Sequence, residues 1–385
     1  MIRNPAALER LLENIRDFVR VVAIPNEARV DREHVIDEAI VDEMRRRGFF
    51  GWSIPEAFGG AGLTTEELCH ANIEISQCTA AFRARAGTNT GIGSEAIIQM
   101  GTDAQKEHYL PRLASGEITG CLAVTEPDAG SDLLGGLRTT AQRDGDHWIL
   151  NGTKRYITNA PLADVFTVLA RSDPNNKGGS GTTAFLIERN TPGLSVGPEH
   201  RKMGQAGSPV SEVYFRDCRV PDSAILGGQP GLGFTAVMKS LNKQRINLAS
   251  LCTGPAIRLL QEGLTHARQR QQSGRAIGEF QLVQAMLADC KVEIEAARAL
   301  ILDTARKRDD GEDVTMAVSM CKYYASEMAG RVADRIVQIF GGAGYCEDIG
   351  GSVPRLYRDV RLFRLYEGTS QIHQLNIAKL LLKGQ

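Results

Sequence analysis

The chain lacks an excess of charge of either sign, because 45 lysine and arginine residues are matched by 46 aspartate and glutamate residues among 385. Composition therefore does not predict the basic surface that binds nucleic acid or anionic lipid. Any phosphate group that binds must be held by a local cluster. The chain also has no apolar run approaching the roughly 20 residues of a membrane-spanning helix, so membrane insertion is not expected.

Pairs of cysteines or histidines at metal-binding spacing are also missing. The eight cysteines are scattered singly, without Cys-x-x-Cys pairs or the density of a disulfide-rich secreted protein. This pattern predicts buried, reduced cysteines in a reducing compartment. The seven histidines show no His-x-x-x-His spacing, so no metal site is expected, and His373 is interpreted as a residue on a helix surface.

The first residues lack the features of a targeting segment. Residues 1–8 contain neither an apolar signal core nor an arginine- and serine-rich transit sequence, and apolar residues at helical spacing follow directly. We therefore expect a cytoplasmic protein of a bacterium, or an organelle matrix protein if the chain is a mature one.

The order of secondary-structure patterns divides the chain into three parts. Apolar residues at a period of 3.6 extend from residue 5 to about 116, short β-like runs occupy about 118–226, and long helical patterns follow. We expect an α+β multidomain protein with an all-α N-terminal domain (1–117), an antiparallel β middle domain (118–226) and a C-terminal four-helix bundle (227–385). A nicotinamide-type doubly wound sheet is not expected, because strands and helices do not alternate and no Gly-x-Gly-x-x-Gly follows a strand.

Five runs in the middle part predict strands, and two dipeptides predict turns between them. The expected strands are residues 120–124, 148–150, 165–169, 183–187 and 212–215. The expected turns are Asp144-Gly145 and Asn151-Gly152.

Two short motifs, far apart in the chain, point to chemistry. Glu367, in Tyr366-Glu367-Gly368-Thr369-Ser370, precedes apolar residues at helical spacing, so Thr369 is expected to cap a helix. Residues 124–132 (Val-Thr-Glu-Pro-Asp-Ala-Gly-Ser-Asp) follow a predicted strand and form a turn that presents backbone amides and a hydroxyl. Taken singly, Glu367 could equally pair with nearby basic residues, and residues 124–132 could be a generic turn.

Together these motifs resemble the acyl-CoA dehydrogenase family, and the resemblance extends through nearly the whole chain. It implies the three-domain fold of that family, FAD as cofactor and an acyl-CoA as substrate. Glu367 matches the family's catalytic base, so it is expected to remove the α-proton of the thioester while flavin N5 takes a hydride from the β-carbon, giving a trans-2-enoyl-CoA. Burial would raise the proton affinity of such a carboxylate, and Gly368 would permit close approach of the backbone.

The same resemblance implies the residues that contact the flavin. The expected contacts within one subunit are Val124, Thr125, Tyr156, Thr158, Thr369 and Gln371. Tyr156 stands where many members carry tryptophan, so a flat face is kept but its area changes. Capping of a helix would by itself also explain Thr369.

A second set of residues is expected to reach the flavin dinucleotide, partly across a subunit border. These residues are Arg270, Gln281, Gln338, Gly341 and Gly342. Guanidinium and clustered amides suit a pyrophosphate, although a solvated turn between helices would look similar. A shared cofactor implies a homotetramer arranged as a dimer of dimers, and the family resemblance implies electron-transfer flavoprotein as electron acceptor.

The resemblance also implies contacts with the CoA ester. The expected residues are Ser131, Asn242, Arg245 and Gly368. Gln244 occupies a position where some members place the base, and a glutamine cannot accept the α-proton. The assignment of the base therefore stays with Glu367.

Arg83 is the residue that bears on the acyl group. It falls where glutaryl-CoA dehydrogenases hold an arginine against the distal carboxylate of the substrate. A guanidinium at the blind end of a pocket costs several kcal/mol unless an anion pairs with it. A substrate with a carboxylate or another polar end is one interpretation, and an internal salt bridge or polar cap is the other.

Other activities are known on the fold that this resemblance implies. Within enzymes, the alternative is an oxidative decarboxylase or desulfinase that acts on a carboxylate- or sulfinate-ended acyl-CoA. In a different class, the alternative is a non-catalytic acyl-CoA-binding flavoprotein. The presence of both motif sets argues against loss of catalysis.

Overall fold

The computed structural model describes residues 1–383, and its first part is helical. The helices of this part are α1 (Pro5–Phe18), α2 (Ile24–Glu33), α3 (Glu38–Arg46), α4 (Thr65–Ile75), α5 (Ala80–Gly87), α6 (Glu95–Met100) and α7 (Asp103–Ser115). Thr64 and Thr102 form capping boxes that fix the first turns of α4 and α7. The apolar faces of α1 to α5 share one core, in which the rings of Phe18, Phe49 and Phe82 meet edge to face.

The middle part is a β-sheet. Its strands are β1 (Gly120–Ala123), β2 (Thr140–Asp144), β3 (His147–Thr158), β4 (Val165–Arg171), β5 (Thr182–Glu188), β6 (Leu194–Glu199) and β7 (Val210–Pro221). They lie in the order β1-β4-β2-β3-β7-β6, and β5 pairs with β4 in antiparallel along its whole length, Val165–Arg171. Alternate residues of the strands enclose a core that contains Trp148, Phe166 and Phe185.

Two expectations about this sheet are wrong. The sheet is mixed, because β1 pairs with β4 in parallel over four residues and β2 meets β4 in parallel at Thr140 and Arg171. Long connections allow this arrangement, whereas the hairpin-linked strands remain antiparallel. Asn151-Gly152 is not a turn: β3 runs through it, and the register shift between Leu150 and Gly152 marks a bulge where the chain passes Thr139 closely.

The last part is built of long helices. They are α8 (Gly233–Gln269), α9 (Gln281–Asp309), α10 (Thr315–Phe340), α11 (Gly342–Tyr345), α12 (Val353–Val360) and α13 (Ser370–Leu382), with a small hairpin of β8 (Gln271–Gln272) and β9 (Arg275–Ala276) between α8 and α9. Helices α8, α9, α10 and α13 form the bundle, with α10 at its centre. Helix α4 packs on α8 and α9 and so joins the first part to the bundle.

The chain passes from helix to strand between Ser115 and Gly120, and from strand to helix between Pro221 and Gly233. We propose that the chain divides into domains at 1–117, 118–226 and 227–385. Residues 384–385 of the last domain lie outside the described part. Within residues 1–383, no helix combines the length and the apolar composition needed to cross a membrane. Seven of the eight cysteines are buried and all eight are free, with Cys346 exposed.

Candidate active site

A cavity of about 270 Å³ lies between the β-sheet, α5, α8 and the segment that precedes α13. It brings together seven of the residues that the sequence singled out: Arg83, Val124, Thr125, Tyr156, Thr158, Glu367 and Gly368. Helix α8 adds Gln244, Asn247 and Leu248 to the wall. The two motifs that stand about 240 positions apart in the sequence thus face the same space.

Glu367 is held in an unusual backbone conformation at this cavity. Its φ is 53°, in the left-handed region that a residue with a side chain rarely adopts, and Gly368 follows with φ 94°. A Cβ at Gly368 would lie 2.9 Å from Nε2 of His373, so glycine is required there. The turn aims the Glu367 side chain into the cavity, where its Oε2 is buried and has no hydrogen-bond partner among residues 1–383.

The surroundings of Glu367 favour its protonated form. Burial raises the pKa of Glu367 to about 7, and the positive charges of Arg245, Lys322 and Arg83 limit that rise. A carboxylate with this pKa is ionised in part near neutral pH and binds a proton strongly. This combination is what a general base for a weak carbon acid requires.

Three side chains hold the backbone around Glu367. Nε of Arg245 donates to the Glu367 carbonyl at 3.3 Å, and Nε2 of His373 lies 3.2 Å from the same oxygen. Nζ of Lys322 donates to the Gly368 carbonyl at 2.6 Å. These contacts stabilise a backbone conformation that is otherwise strained, and thereby fix the direction of the carboxylate.

Sequence reasoning missed two of these three residues. His373 was expected on a helix surface, but it is fully buried behind Gly368, and burial lowers its pKa to about 4. Lys322 is also fully buried. A signal for it was present, because Lys322 falls in the apolar stripe of α10 between Val318 and Ala325, where a charge needs a specific reason.

The capping interpretation of Thr369 agrees with the geometry. Its hydroxyl accepts a hydrogen bond from the Ile372 amide at 3.3 Å at the start of α13. Gln371, in the first turn of that helix, is exposed and does not line the cavity.

The sheet forms the opposite wall of the cavity. Thr125 follows β1, and Tyr156 and Thr158 lie near the end of β3, with Tyr156 62% exposed and at φ 59°. The hydroxyls of Thr125 and Thr158 form no hydrogen bond with any residue in the described range. A Cβ at Gly130, on the same wall, would meet nothing within 4 Å. Free hydroxyls, an exposed aromatic face and open space fit the flavin that the motif implies.

A buried ion pair behind this wall was also missed. Nζ of Lys154 lies 2.7 Å from Oε1 of Glu126 and donates to the Val124 carbonyl at 3.2 Å. The other oxygen of Glu126 accepts from the Arg138 amide at 2.6 Å. Burial lowers the pKa of Lys154 to about 8, and the pair holds the pKa of Glu126 below its ordinary value. The glutamate of the Thr-Glu-Pro motif therefore fixes the strand end.

Arg83 lines the cavity beside α4 and is only 6% exposed. Its Nε donates to Oδ1 of Asn72 at 2.9 Å, and it forms no ion pair with a carboxylate of residues 1–383. Burial lowers the pKa of Arg83 to about 10, so the side chain remains charged at neutral pH. Of the two forms of the alternative interpretation, the internal salt bridge is absent from the described residues, whereas the hydrogen bond to Asn72 agrees with a polar cap.

The remaining predicted substrate contacts lie outside the cavity wall. Nη1 of Arg245 donates to Oδ1 of Asn242 at 2.9 Å, and Asn242 borders a separate cleft at the end of α9. Ser131 is exposed next to Gly130. Arg245 reaches the site through the Glu367 carbonyl.

The residues expected at the dinucleotide form a second, separate group. Arg270, Gln281, Gln338, Gly341 and Gly342 are all exposed and do not line the cavity. Stacked rings of His266 and Phe340, with centroids 4.0 Å apart, hold the end of α8 beside the end of α10. Arg270 therefore lies near Gln338, Gly341 and Gly342, while Gln281 begins α9.

Protein-family models match the chain over most of its length. The acyl-CoA dehydrogenase N-terminal domain matches residues 5–117, the middle domain residues 121–218 and the C-terminal domain residues 231–382. The chain is 37% identical to the short-chain specific acyl-CoA dehydrogenase of Homo sapiens mitochondria over 385 residues, covering 100% of this chain and 92% of that protein. It is 36% identical to a subunit of the caffeyl-CoA reductase–Etf complex of Acetobacterium woodii over 354 residues, covering 92% of each.

The fold matches as well. The structure of a glutaryl-coenzyme A dehydrogenase glutaryl-CoA complex is similar with a TM-score of 0.93 and 35% identity, covering 100% of this chain and 97% of that one. Three matched domains, full-length relatives and a common fold agree with the cavity geometry. The chain therefore belongs to the acyl-CoA dehydrogenase family, FAD-dependent oxidoreductases that act on the CH–CH bond of an acyl-CoA.

Proposed function

We propose that this protein converts an acyl-CoA thioester into the trans-2-enoyl-CoA, with Glu367 as the base that removes the α-proton. The observation that carries the proposal is the buried, unpartnered Oε2 of Glu367 in a cavity that raises the pKa of this carboxyl to about 7. A structural carboxylate would be paired instead, as Glu126 is with Lys154.

The turn around Glu367 supplies a second element of catalysis. The Glu367 amide makes no hydrogen bond with any of residues 1–383, although the carbonyls of Glu367 and Gly368 are both engaged. A free amide beside the base can donate to the thioester oxygen and so acidify the α-carbon. Arg245, Lys322 and His373 position both groups through the backbone.

Two separate groups of residues would bind the cofactor. Val124, Thr125, Tyr156 and Thr158 would hold the FAD ring at the cavity wall, and the exposed group at the ends of α8 and α10 would hold the dinucleotide. FAD, when bound, supplies the acceptor for the hydride of the β-carbon. The chain's own contribution is to orient the acyl group between that wall and Glu367 and to exclude water.

For the acyl group, we propose a terminal carboxylate that pairs with Arg83. The guanidinium is buried in the cavity wall, is charged and lacks an anionic partner in the described range. Apolar residues of α8, including Leu248 and Leu251, form the wall along which such a chain would run. A carboxylate so held could also be lost as carbon dioxide after dehydrogenation, and product analysis would detect this alternative outcome.

We further propose electron-transfer flavoprotein as acceptor and a homotetramer as the assembly. Several large apolar side chains of the bundle are exposed in the single chain, among them Leu282 (81%), Val292 (67%) and Leu381 (61%). Such a distribution favours further burial against other copies. Sharing of the dinucleotide would explain why its predicted residues lie away from the cavity.

The test is anaerobic flavin absorbance of the holoenzyme, titrated with butyryl-, octanoyl-, isobutyryl-, succinyl- and glutaryl-CoA. We expect glutaryl- or succinyl-CoA to bleach the oxidised flavin, and Glu367→Gln to abolish bleaching. Arg83→Met should weaken the response to the dicarboxylyl esters at least tenfold while sparing butyryl-CoA. Arg85→Met is the matched control, because Arg85 is also buried but bonds Thr119 outside the cavity. Spectral perturbation by every ester without bleaching would refute dehydrogenation of these esters and favour a binding role.

A further inference from the structure

Two glycines four residues apart make room for two polar side chains in the cavity wall. A Cβ at Gly87 would lie 1.8 Å from Nη1 of Arg83, and a Cβ at Gly91 would lie 2.7 Å from Oε1 of Gln244. Gly87 is the last residue of α5, and Gly91 lies four residues later in the turn that follows. Gln244 and Arg83 therefore lie against neighbouring points of the same surface, and both line the cavity.

Gln244 forms an amide pair with Asn247, one turn farther along α8. Oε1 of Gln244 accepts from Nδ2 of Asn247 at 3.2 Å, while Nε2 of Gln244 and Oδ1 of Asn247 are buried without a partner in residues 1–383. If the oxygen and nitrogen positions of both amides are exchanged, the number of free groups does not change. One hydrogen bond between the two amides always uses one donor and one acceptor, so one donor and one acceptor remain. The pair thus presents one free amide donor and one free carbonyl acceptor.

An apolar acyl chain would leave both of these groups unsatisfied. Their neighbours on the same wall, Leu248, Leu251 and Pro255, show that this part of α8 accommodates apolar residues. A carboxylate cannot satisfy the pair either, because it only accepts hydrogen bonds and Arg83 already supplies donors for it. A hydroxyl group, which donates and accepts through one oxygen, offers the chemistry that the two free groups lack.

We propose that Gln244 and Asn247 form a subsite for a hydroxyl group carried by the acyl chain between the thioester and the terminal carboxylate. The Gln244 amide donates a hydrogen bond to the hydroxyl oxygen, and the Asn247 carbonyl accepts a hydrogen bond from the hydroxyl group. The substrate class is then a hydroxylated dicarboxylyl-CoA. This inference rests on the proposed function, since it places the hydroxyl relative to the Glu367 and Arg83 ends.

The test compares hydroxyl and methyl groups at one carbon. The ligands are 4-hydroxyglutaryl-CoA and 4-methylglutaryl-CoA, and the carboxylate-free pair 4-hydroxypentanoyl-CoA and 4-methylpentanoyl-CoA. Values of kcat/KM are measured with the holoenzyme, and Kd is measured from flavin absorbance in Glu367→Gln. We expect the hydroxyl ligand to be preferred at least tenfold, because a site built for a hydroxyl rejects the analogue that lacks it.

The variants Gln244→Leu and Asn247→Leu should each reduce that preference to near one, and circular dichroism together with flavin absorbance checks that both variants are folded. Arg85→Met, outside the cavity, should leave the preference unchanged. Equal kcat/KM for hydroxyl and methyl ligands in the wild type would overturn the subsite and would mean that the amides hold ordered water only. A hydroxyl preference confined to the pentanoyl pair would refute the Arg83 carboxylate site and keep the subsite, so the two failures are distinguishable.

Discussion

Buried charges are paired in one region of the cavity and unpaired in another. Behind the sheet wall, the buried Lys154 ammonium is matched by Glu126, whose two oxygens are also bonded to backbone amides. Around the base, the three cations Arg83, Arg245 and Lys322 surround the single carboxylate of Glu367, and none of them forms an ion pair with it. Paired charge fixes a strand, whereas unmatched charge is left available for a substrate.

Removing the base should have the largest effect. Glu367→Gln keeps the size of the side chain but cannot accept a proton, so kcat is expected to fall by about 10²- to 10⁴-fold. Stopped-flow absorbance of the flavin under anaerobic conditions measures this step. Unchanged Kd for an acyl-CoA in the variant would show that the cavity is intact. A rate within a few-fold of wild type would refute the assignment.

Breaking the ion pair between Lys154 and Glu126 should lower the free energy of unfolding. Glu126→Ala leaves Lys154 buried without its partner, so the free energy of unfolding should fall by about 3–5 kcal/mol. Urea unfolding measures the loss. The double variant Glu126→Leu with Lys154→Met removes both charges and should recover most of it. If the double variant is as unstable as the single one, packing and not the unpaired charge accounts for the loss.

The raised pKa of Glu367 predicts that kcat/KM and stability depend on pH. Because the ionised form of Glu367 is the base, kcat/KM should level off above an apparent pKa near 7 and fall about tenfold per pH unit below it. Stability should change in the opposite sense. Burial favours the protonated form of Glu367 and raises its pKa from the ordinary value of 4.5 to about 7. The contribution of Glu367 to the free energy of unfolding should therefore decrease as the pH rises through this range. Glu367→Gln should lose both effects.

The smallest effect is expected at Lys322. Lys322→Met removes the donor to the Gly368 carbonyl and a nearby positive charge, so kcat should fall about tenfold and the apparent pKa of kcat/KM should rise. A pH profile of kcat/KM measures the shift, and Lys322→Arg should restore part of it. A lower melting temperature with an unchanged pH profile would mean that Lys322 has only a structural role.

The sequence predicted the five strands that carry strong apolar patterns but not β2 or β6. Both of these strands are largely exposed, so neither shows the alternation that marks a half-buried strand. The Asn151-Gly152 dipeptide predicted a turn because of its local preference, yet pairing of β3 with β7 on both sides imposes a bulge. Tertiary contacts outweighed the local signal there.

The site residues likewise include some that the sequence revealed and some that it did not. Glu367, Arg83 and the residues of the sheet wall could be named from motifs, because each lies in a recognisable stretch of chain. Lys322, His373 and Lys154 act from other elements through the backbone of motif residues. Sequence spacing cannot reveal such contacts, because they depend on which helix faces which turn.

By itself the sequence determined the family, the cofactor and the three-part order of helices and strands, since short motifs and periodic apolar residues record local chemistry. Only the tertiary structure decided that Glu367 is buried and unpaired, that Arg83 lacks a carboxylate partner and that Gln244 and Asn247 leave two polar groups free. The reason is physical: burial and pairing are relations between distant parts of the chain, and they set the pKa and the binding chemistry of each side chain.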